Sequence, residues 1–252
     1  MKRRGLIAIL LATLLVTPLA TGSTDTAETE PVTIRSGEWL LKGDLYWQSE
    51  EKPKAVVLLL HNAGSNRTTF YSMGNKLEAA GYAALAMDLR GHGESTNIDT
   101  FDWKEKKNFH VNNDTRLDVA ASHKWIIKDK RFGDVPVIHL SASYSGERMA
   151  QAIDEIGLVD GYISLSPGDF SDDSMARVDS SGKPWLFIRG EIEREFFDDL
   201  FDAIRDKAES AEIWVIPAVA EGRTHGTRIL LQHPEVEDRI IKWIEERVEH
   251  NP

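Results

Sequence analysis

Six consecutive apolar residues, Ala55–Leu60 (AVVLLL), lie between Pro53 and His61. A run of that length without a polar break is the pattern of a strand covered on both faces. A helical stretch over 70–80, closed by Gly81, follows it, and a second strand run spans 82–89. The alternation continues down the chain. Strands are expected at 135–140, 160–165, 185–188 and 211–216, and helices at 115–128, 146–155, 196–208 and from about Pro234 onward. Asp114 stands where an N-cap for the 115–128 helix is expected. The intervening segments 90–113, 166–184 and 217–228 read as loop or irregular chain. Strands alternating with helices of this length imply the α/β class, with a mostly parallel sheet and helices on both faces. Right-handed crossovers then put the strand C-termini on one edge, where open sheets bind their ligands.

The chain has 252 residues, 41% of them apolar, with no repeat, low-complexity tract or Pro/Gly/Ser linker. That is enough for one large core and argues against wholesale disorder. The formal charge of −11 disfavours nucleic acid as a partner, because phosphate contacts need basic patches. Without cysteine there is no disulfide, thiol nucleophile or thiolate metal site.

The N-terminus has a different composition. Met1-Lys2-Arg3-Arg4 is a basic opening, Gly5–Val16 is an apolar run, and Pro18, Ala20, Thr21, Gly22 and Ser23 follow. This is the order of a secretory signal peptide over 1–22, so the protein is expected to be exported, periplasmic or secreted. An uncleaved N-terminal membrane anchor is the alternative, since 5–24 carries no charge. Removal of Lys2, Arg3 and Arg4 would take the charge from −11 to −14. Residues 23–30 read as an acidic, disordered leader, and a single domain is expected over 31–250.

The chemistry concentrates in Val137-Ile-His-Leu-Ser-Ala-Ser-Tyr-Ser-Gly146. An apolar strand runs directly into small residues and a helix begins at once, with Ser143 central in a small-x-Ser-x-small pattern. A nucleophile elbow needs this arrangement, because neighbouring backbone packs against the residues two before and two after the nucleophile. Those positions hold Ser141 and Ser145, where the usual pattern has glycine.

At this point the chain resembles the α/β-hydrolase superfamily, in its lidless, dienelactone-hydrolase-like branch of small serine hydrolases. The resemblance runs from about Val32 to Val248. Its markers occur in family order: Leu60-His61-Asn62-Ala63-Gly64, then Asp88-Leu-Arg-Gly-His-Gly-Glu-Ser95, then the elbow. Pro184-Trp-Leu-Phe-Ile-Arg-Gly-Glu-Ile-Glu193 and Thr224-His225-Gly226 complete the series. The resemblance implies a Ser, acid, His triad in that chain order, matching Ser143, Glu193 and His225. It also implies an oxyanion hole from the backbone N–H groups of Ala63 and Tyr144. Arg90 and His92 are expected to shape a turn. The family usually has Asp at position 193, so Glu191 and Asp169 compete for the acid's role. Asp169 follows the preceding strand, from which some members supply the acid.

The histidines at 61, 110, 123, 139 and 233 show no metal-ligand spacing, and no cofactor loop is present, so neither metal nor cofactor is expected. Only 19 residues, 166–184, separate the strands between which larger members carry a cap, so no large cap is expected. The loop 90–113, carrying Trp103 and Phe109, is expected at the rim of an open site. Trp103, Phe109, Tyr144 and Phe170 are candidates for the pocket lining and equally for the core. The implied function is hydrolysis of a small carboxylic ester or thioester through an acyl-enzyme. The rivals are a catalytically silent binding protein on the same fold and a peptidase or amidase using the same triad. The oligomeric state and the acyl and alcohol groups are not legible.

Overall fold

Adjacent residues of the AVVLLL strand are buried on opposite sides of one sheet. Val56, Leu58 and Leu60 belong to one core cluster, and Ala55, Val57 and Leu59 to the other. This is the period-2 alternation of a strand with protein on both faces. The computed structural model describes residues 29–102, 104, 108–168, 170–207, 211–217 and 224–248. The strands are β1 Glu30–Ser36, β2 Trp39–Tyr46, β3 Val56–Leu60, β4 Ala83–Met87, β5 Val137–Ala142, β6 Gly161–Leu165, β7 Trp185–Gly190 and β8 Ala211–Ile216. They form one eight-stranded sheet in the order β1-β2-β4-β3-β5-β6-β7-β8. From β4 to β8 every pairing is parallel, and β1 and β2 add an antiparallel edge.

The helices are α1 Tyr71–Ala79, α2 Thr115–Lys128, α3 Tyr144–Ile156, α4 Asp172–Ser180, α5 Arg194–Lys207, α6 Arg228–Gln232 and α7 Glu235–Val248. Val119 and Ile126 of α2, Met149 of α3, Met175 of α4 and Phe201 of α5 pack on one face. Met73 and Leu77 of α1, Ile229 of α6 and Ile240 and Trp243 of α7 cover the other. The expected α/β architecture, one mostly parallel sheet with helices on both faces, is what the chain adopts, and among the described residues only α4 stands between β6 and β7, where a large cap would be inserted. Among the described residues no helix is long and apolar enough to cross a membrane.

The β1–β2 hairpin precedes Ala55, where the sequence reading begins; its alternation places Val32 and Ile34 inward between exposed residues. Three local expectations need correction. The segment 166–184 is not all loop, because Ser171 caps α4 through its hydroxyl on Ser174 N–H (3.2 Å). Part of the irregular segment 217–228 runs into α6. Asp114 occupies the N-cap position of α2 but makes no capping bond: a 3-10 turn, Phe109–Asp114, already delivers the chain in near-helical conformation. Its carboxylate lies 3.9 Å from Arg90 instead. Trp103 and Asp169 lie outside the described residues.

Several histidines are structural and held neutral. His61 is fully buried, accepts the Leu89 N–H at Nε2 (3.1 Å) and lies 2.8 Å from Asn62 O through Nδ1. Burial, helped by neighbouring His92, lowers its pKa to about 3. Burial likewise lowers His92 and His123. His139, in the middle of β5 and 3.2 Å from His123, is pushed well below its ordinary value by burial and then by that neighbour. Asp160 opposes and Lys124 reinforces the shift at His123. Histidines depressed in the folded state bind fewer protons there than in the unfolded chain. Their contribution is therefore complete above the unfolded value near 6.5 and declines as pH falls below it. The melting temperature is expected to fall from pH 7.5 to pH 5, each such histidine contributing a slope of up to about 1.4 kcal/mol per pH unit. His139→Leu should flatten that slope, and a wild-type curve already flat over this range would contradict the reading.

Candidate active site

The parallel strands deliver five loops to one edge of the sheet, and each carries part of the site. The loop after β3 brings Asn62 and Ala63, the end of β5 brings Ser143, and the end of β6 brings Ser166. A 3-10 turn after β7 brings Glu193, and the chain after β8 brings His225.

Ser143 stands at the junction of β5 and α3 with φ 55 and ψ −127. A non-glycine residue with this backbone is strained by about 1–3 kcal/mol, and such strain persists only where the surroundings impose it. Here Ser143 N–H donates to Leu165 O (2.9 Å), and Gly146 N–H donates to Ser143 O (2.9 Å). The two serines that replace glycine are fully buried and spend their hydroxyls on backbone. Ser141 donates to Ile163 O (3.1 Å), whereas Ser145 accepts the Ala142 N–H (2.9 Å) and donates to Leu60 O (3.0 Å). The obligatory glycine comes one residue later. A Cβ at Gly146 would lie 2.6 Å from Ser164 Oγ, so the close approach of α3 to β6 falls at that position.

Ser143, His225 and Glu193 are brought into one hydrogen-bonded chain. Ser143 Oγ lies 2.9 Å from His225 Nε2, and His225 Nδ1 lies 2.5 Å from Glu193 Oε1. The carboxylate is buried, while the imidazole is partly open to the cavity. Oriented in this way, Nδ1–H donates to the carboxylate and Nε2 is left to accept the serine proton. Glu193 closes a 3-10 turn, Glu191–Glu193, directly after β7. Of the competitors for the acid, Glu191 is exposed and Asp169 lies outside the described residues.

Two side chains that the sequence reading did not assign to the site tie its loops together. Ser166, fully buried at φ 44, donates to Glu193 Oε2 (2.8 Å) and accepts the Gly226 N–H (2.8 Å). Gly190 N–H completes the carboxylate's shell at 2.9 Å. Asn62 Oδ1 accepts the Thr227 hydroxyl (2.9 Å) and N–H (3.3 Å), so the Ala63 loop is bound directly to the His225 loop. The only sequence signal for Ser166 was its place at a strand end beside Pro167-Gly168. Ser166→Ala is expected to lower kcat about 10- to 100-fold with little change in KM, because the acid and imidazole lose a shared anchor. Steady-state kinetics on an activated ester checks this, and an unchanged kcat would make Ser166 mere packing.

The Asp88–Ser95 run builds a turn, as expected. Asp88 accepts the N–H groups of Arg67 (2.7 Å) and Glu94 (2.8 Å) and pairs with the Arg67 guanidinium. A Cβ at Gly93 would lie 2.1 Å from Asp88 Oδ2, which excludes any other residue there. Arg90 is buried against Asp118 of α2, and His92 stacks on Phe101 with ring centroids 4.6 Å apart.

A cavity of about 760 Å³ opens over Ser143 and His225. Asn62, Ala63, Gly64 and Gly168 line its inner side, and Tyr144, Glu147 and Arg148 of α3 form one wall. Lys104, Asn112 and Asn113 supply the part of the rim expected from the loop 90–113. Of the aromatic candidates, Tyr144 lines the cavity, and its phenol is driven far above its ordinary pKa by burial. Phe170 packs edge-on against Phe187 in the core.

The family model described as serine aminopeptidase, S33, matches residues 51–211. The chain belongs to that family. The match includes Ala63, Ser143, Tyr144 and Glu193, and His225 lies C-terminal to it. Among solved structures, a dienelactone hydrolase from Anabaena variabilis is 19% identical, covers 88% of this chain and 97% of its own, and superposes with a TM-score of 0.64. A lidless α/β serine hydrolase from Xanthomonas campestris is 14% identical over 90% and 98%, with a TM-score of 0.66. An esterase from Pyrococcus furiosus is 17% identical over 88% and 92%, with a TM-score of 0.65. At these identities the likeness speaks for the α/β-hydrolase fold, and a fold by itself does not name a substrate. Family and fold together make the protein a hydrolase of the α/β serine class.

Proposed function

We propose that this hydrolase cleaves carboxylic esters or thioesters of small molecules, with Ser143 as nucleophile, His225 as base and Glu193 as the orienting acid. The observation that carries the reading is the continuous Ser143–His225–Glu193 hydrogen-bond chain at the floor of the cavity. Ser143 Oγ attacks the carbonyl carbon as its proton passes to His225 Nε2, and the imidazolium is stabilised by Glu193. The N–H groups of Ala63 and Tyr144 receive the developing oxyanion; as the first residue of α3, Tyr144 has no intrahelical acceptor for its N–H. His225 returns the proton to the departing alcohol or thiol. Water, activated by the same imidazole, then releases the acyl group and restores Ser143.

One observation favours an ester over the aminopeptidase reaction in the family's description. An aminopeptidase must recognise a cationic amino terminus. The one carboxylate among the described residues lining the cavity, Glu147, is already engaged by Gln151 Nε2 (2.8 Å) and Ser171 Oγ (2.8 Å). The other charged lining residues, Lys104 and Arg148, are cations. We extend the proposal to location on the order of residues 1–22, basic then apolar then small: export, with the hydrolase working in the periplasm or outside the cell.

A fluorophosphonate probe tests the reaction directly. Stoichiometric labelling at Ser143, located by peptide mass and abolished in His225→Ala, is the expected outcome. A folded protein that takes no label would favour the silent binding reading.

A further inference from the structure

Resting on the ester-hydrolase reading, we propose that Arg148 makes this site selective for esters that carry an oxyanion, a carboxylate or a phosphate, in addition to the scissile bond. Arg148 lies four residues, about one turn or ~6 Å, along α3 from Tyr144, the residue that follows the nucleophile. Its side chain therefore stands over the same face of the helix as the reacting centre and lines the same cavity.

Arg148 differs from its charged neighbours in having no counter-ion. Its Nη1 donates to Gln151 Oε1 (2.8 Å), but its Nε is buried with no hydrogen-bond partner, and it forms no ion pair among the described residues. A second, polar cleft of about 460 Å³ shares Arg148 and Asn113 with the first and also contains Arg116 and Arg177. Both of these are paired, Arg116 with Glu155 and Arg177 with Asp154. Glu147, next to Arg148 in sequence, accepts from Gln151 and Ser171 and is not given to the guanidinium. The charge on Arg148 is thus left for something that enters the cavity. A guanidinium fork matches a planar carboxylate or a phosphate, and the amides of Asn112 and Asn113 with Lys104 extend the same wall. The bound oxyanion would sit about one helical turn from the carbonyl under attack, on either the acyl or the alcohol side.

The test pairs neutral and anionic esters of like reactivity: 4-nitrophenyl valerate against 4-nitrophenyl hemiglutarate, and phenyl acetate against 4-acetoxybenzoate and 4-acetoxyphenyl phosphate. The wild type is expected to favour at least one anionic member over its neutral partner in kcat/KM. Arg148→Gln should reduce that ratio about 10- to 100-fold, the worth of a hydrogen bond to a charged group. Arg148→Lys should restore part of it, and Arg177→Gln should leave it unchanged. Which anionic ester responds tells carboxylate from phosphate and acyl side from alcohol side. A ratio near one in the wild type, or a ratio unaffected by Arg148→Gln, overturns the proposal. Calorimetric titration of Ser143→Ala protein with glutarate and with inorganic phosphate separates this idea from the catalytic one. Binding that is lost on adding Arg148→Gln supports the oxyanion site even if no ester is cleaved. Absence of binding to either anion overturns it even if Ser143 labels with fluorophosphonate.

Discussion

Ser143→Ala is expected to lower turnover by about 10³- to 10⁶-fold while leaving the fold intact. The loss is large because serine, imidazole and carboxylate act as a unit, and without the hydroxyl only binding and the oxyanion donors remain. The fold should survive because the elbow is held by backbone contacts. Ser143 N–H to Leu165 O, Gly146 N–H to Ser143 O and the hydroxyls of Ser141 and Ser145 are all untouched by the substitution. Alanine inherits the positive φ of 55° at Ser143 and with it the strain. Ser143→Gly should be equally inactive yet more stable by about 1 kcal/mol, since glycine adopts that backbone without a Cβ penalty. Initial rates on 4-nitrophenyl butyrate and thermal melts of the three proteins check both statements. Retained activity in Ser143→Ala would move the nucleophile elsewhere. A glycine variant less stable than the alanine one would remove the argument that the elbow stores strain for function.

What the sequence made legible follows from how locally each feature is encoded. AVVLLL at 55–60 is readable as a buried strand because every residue in it is apolar, and the elbow is readable because strand, small residues and helix adjoin in one stretch. The first two strands were not legible from pattern. β1 turns only Val32 and Ile34 inward among its apolar residues, and the two strands gain their place by pairing, β1 with β2 and β2 with β4. The helix at 172–180 was hidden for a related reason: it buries only Ser174, Met175 and Val178 and starts on a cap set by Ser171. At the site, Ser143 and His225 were readable from order along the chain. The clasp formed by Ser166 was not, because its partners Glu193 and Gly226 lie 27 and 60 residues away. Asn62 likewise meets Thr227 across 165 residues. Arg148 carries no mark in the sequence, because its lack of an ion pair among the described residues is a property of three dimensions.

The Arg90–Asp118 pair, of which the sequence suggested only Arg90 and that as turn-shaping, is expected to give a large stability effect on substitution. Asp118 is fully buried and Arg90 nearly so. Arg90 donates to Asp118 through its N–H (2.9 Å), Nε (2.9 Å) and Nη2 (2.7 Å), and through Nη2 also to Ser36 Oγ (3.1 Å). Its guanidinium lies 5.8 Å from the Trp39 ring centre, so one side chain joins β1, β2, α2 and the start of the loop 90–113. Asp118→Ala leaves a buried N–H without its acceptor and a buried cation with only the exposed Asp114 carboxylate, 3.9 Å away, a loss of about 3–5 kcal/mol. For a domain of this size that corresponds to a melting temperature lower by about 10 °C. The effect reaches the site, because the loop that Arg90 begins carries Lys104, Asn112 and Asn113 into the cavity wall. At a temperature where Asp118→Ala is still folded, KM for its substrate should rise more than kcat falls, since the Ser143–His225–Glu193 chain hangs on other loops. Asp118→Ala combined with Arg90→Met should recover much of the lost stability, because the penalty arises from the unpaired charge more than from the missing attraction. A double variant no more stable than Asp118→Ala would mean that Arg90 holds the fold through Ser36 and Trp39, with Asp118 only balancing its charge.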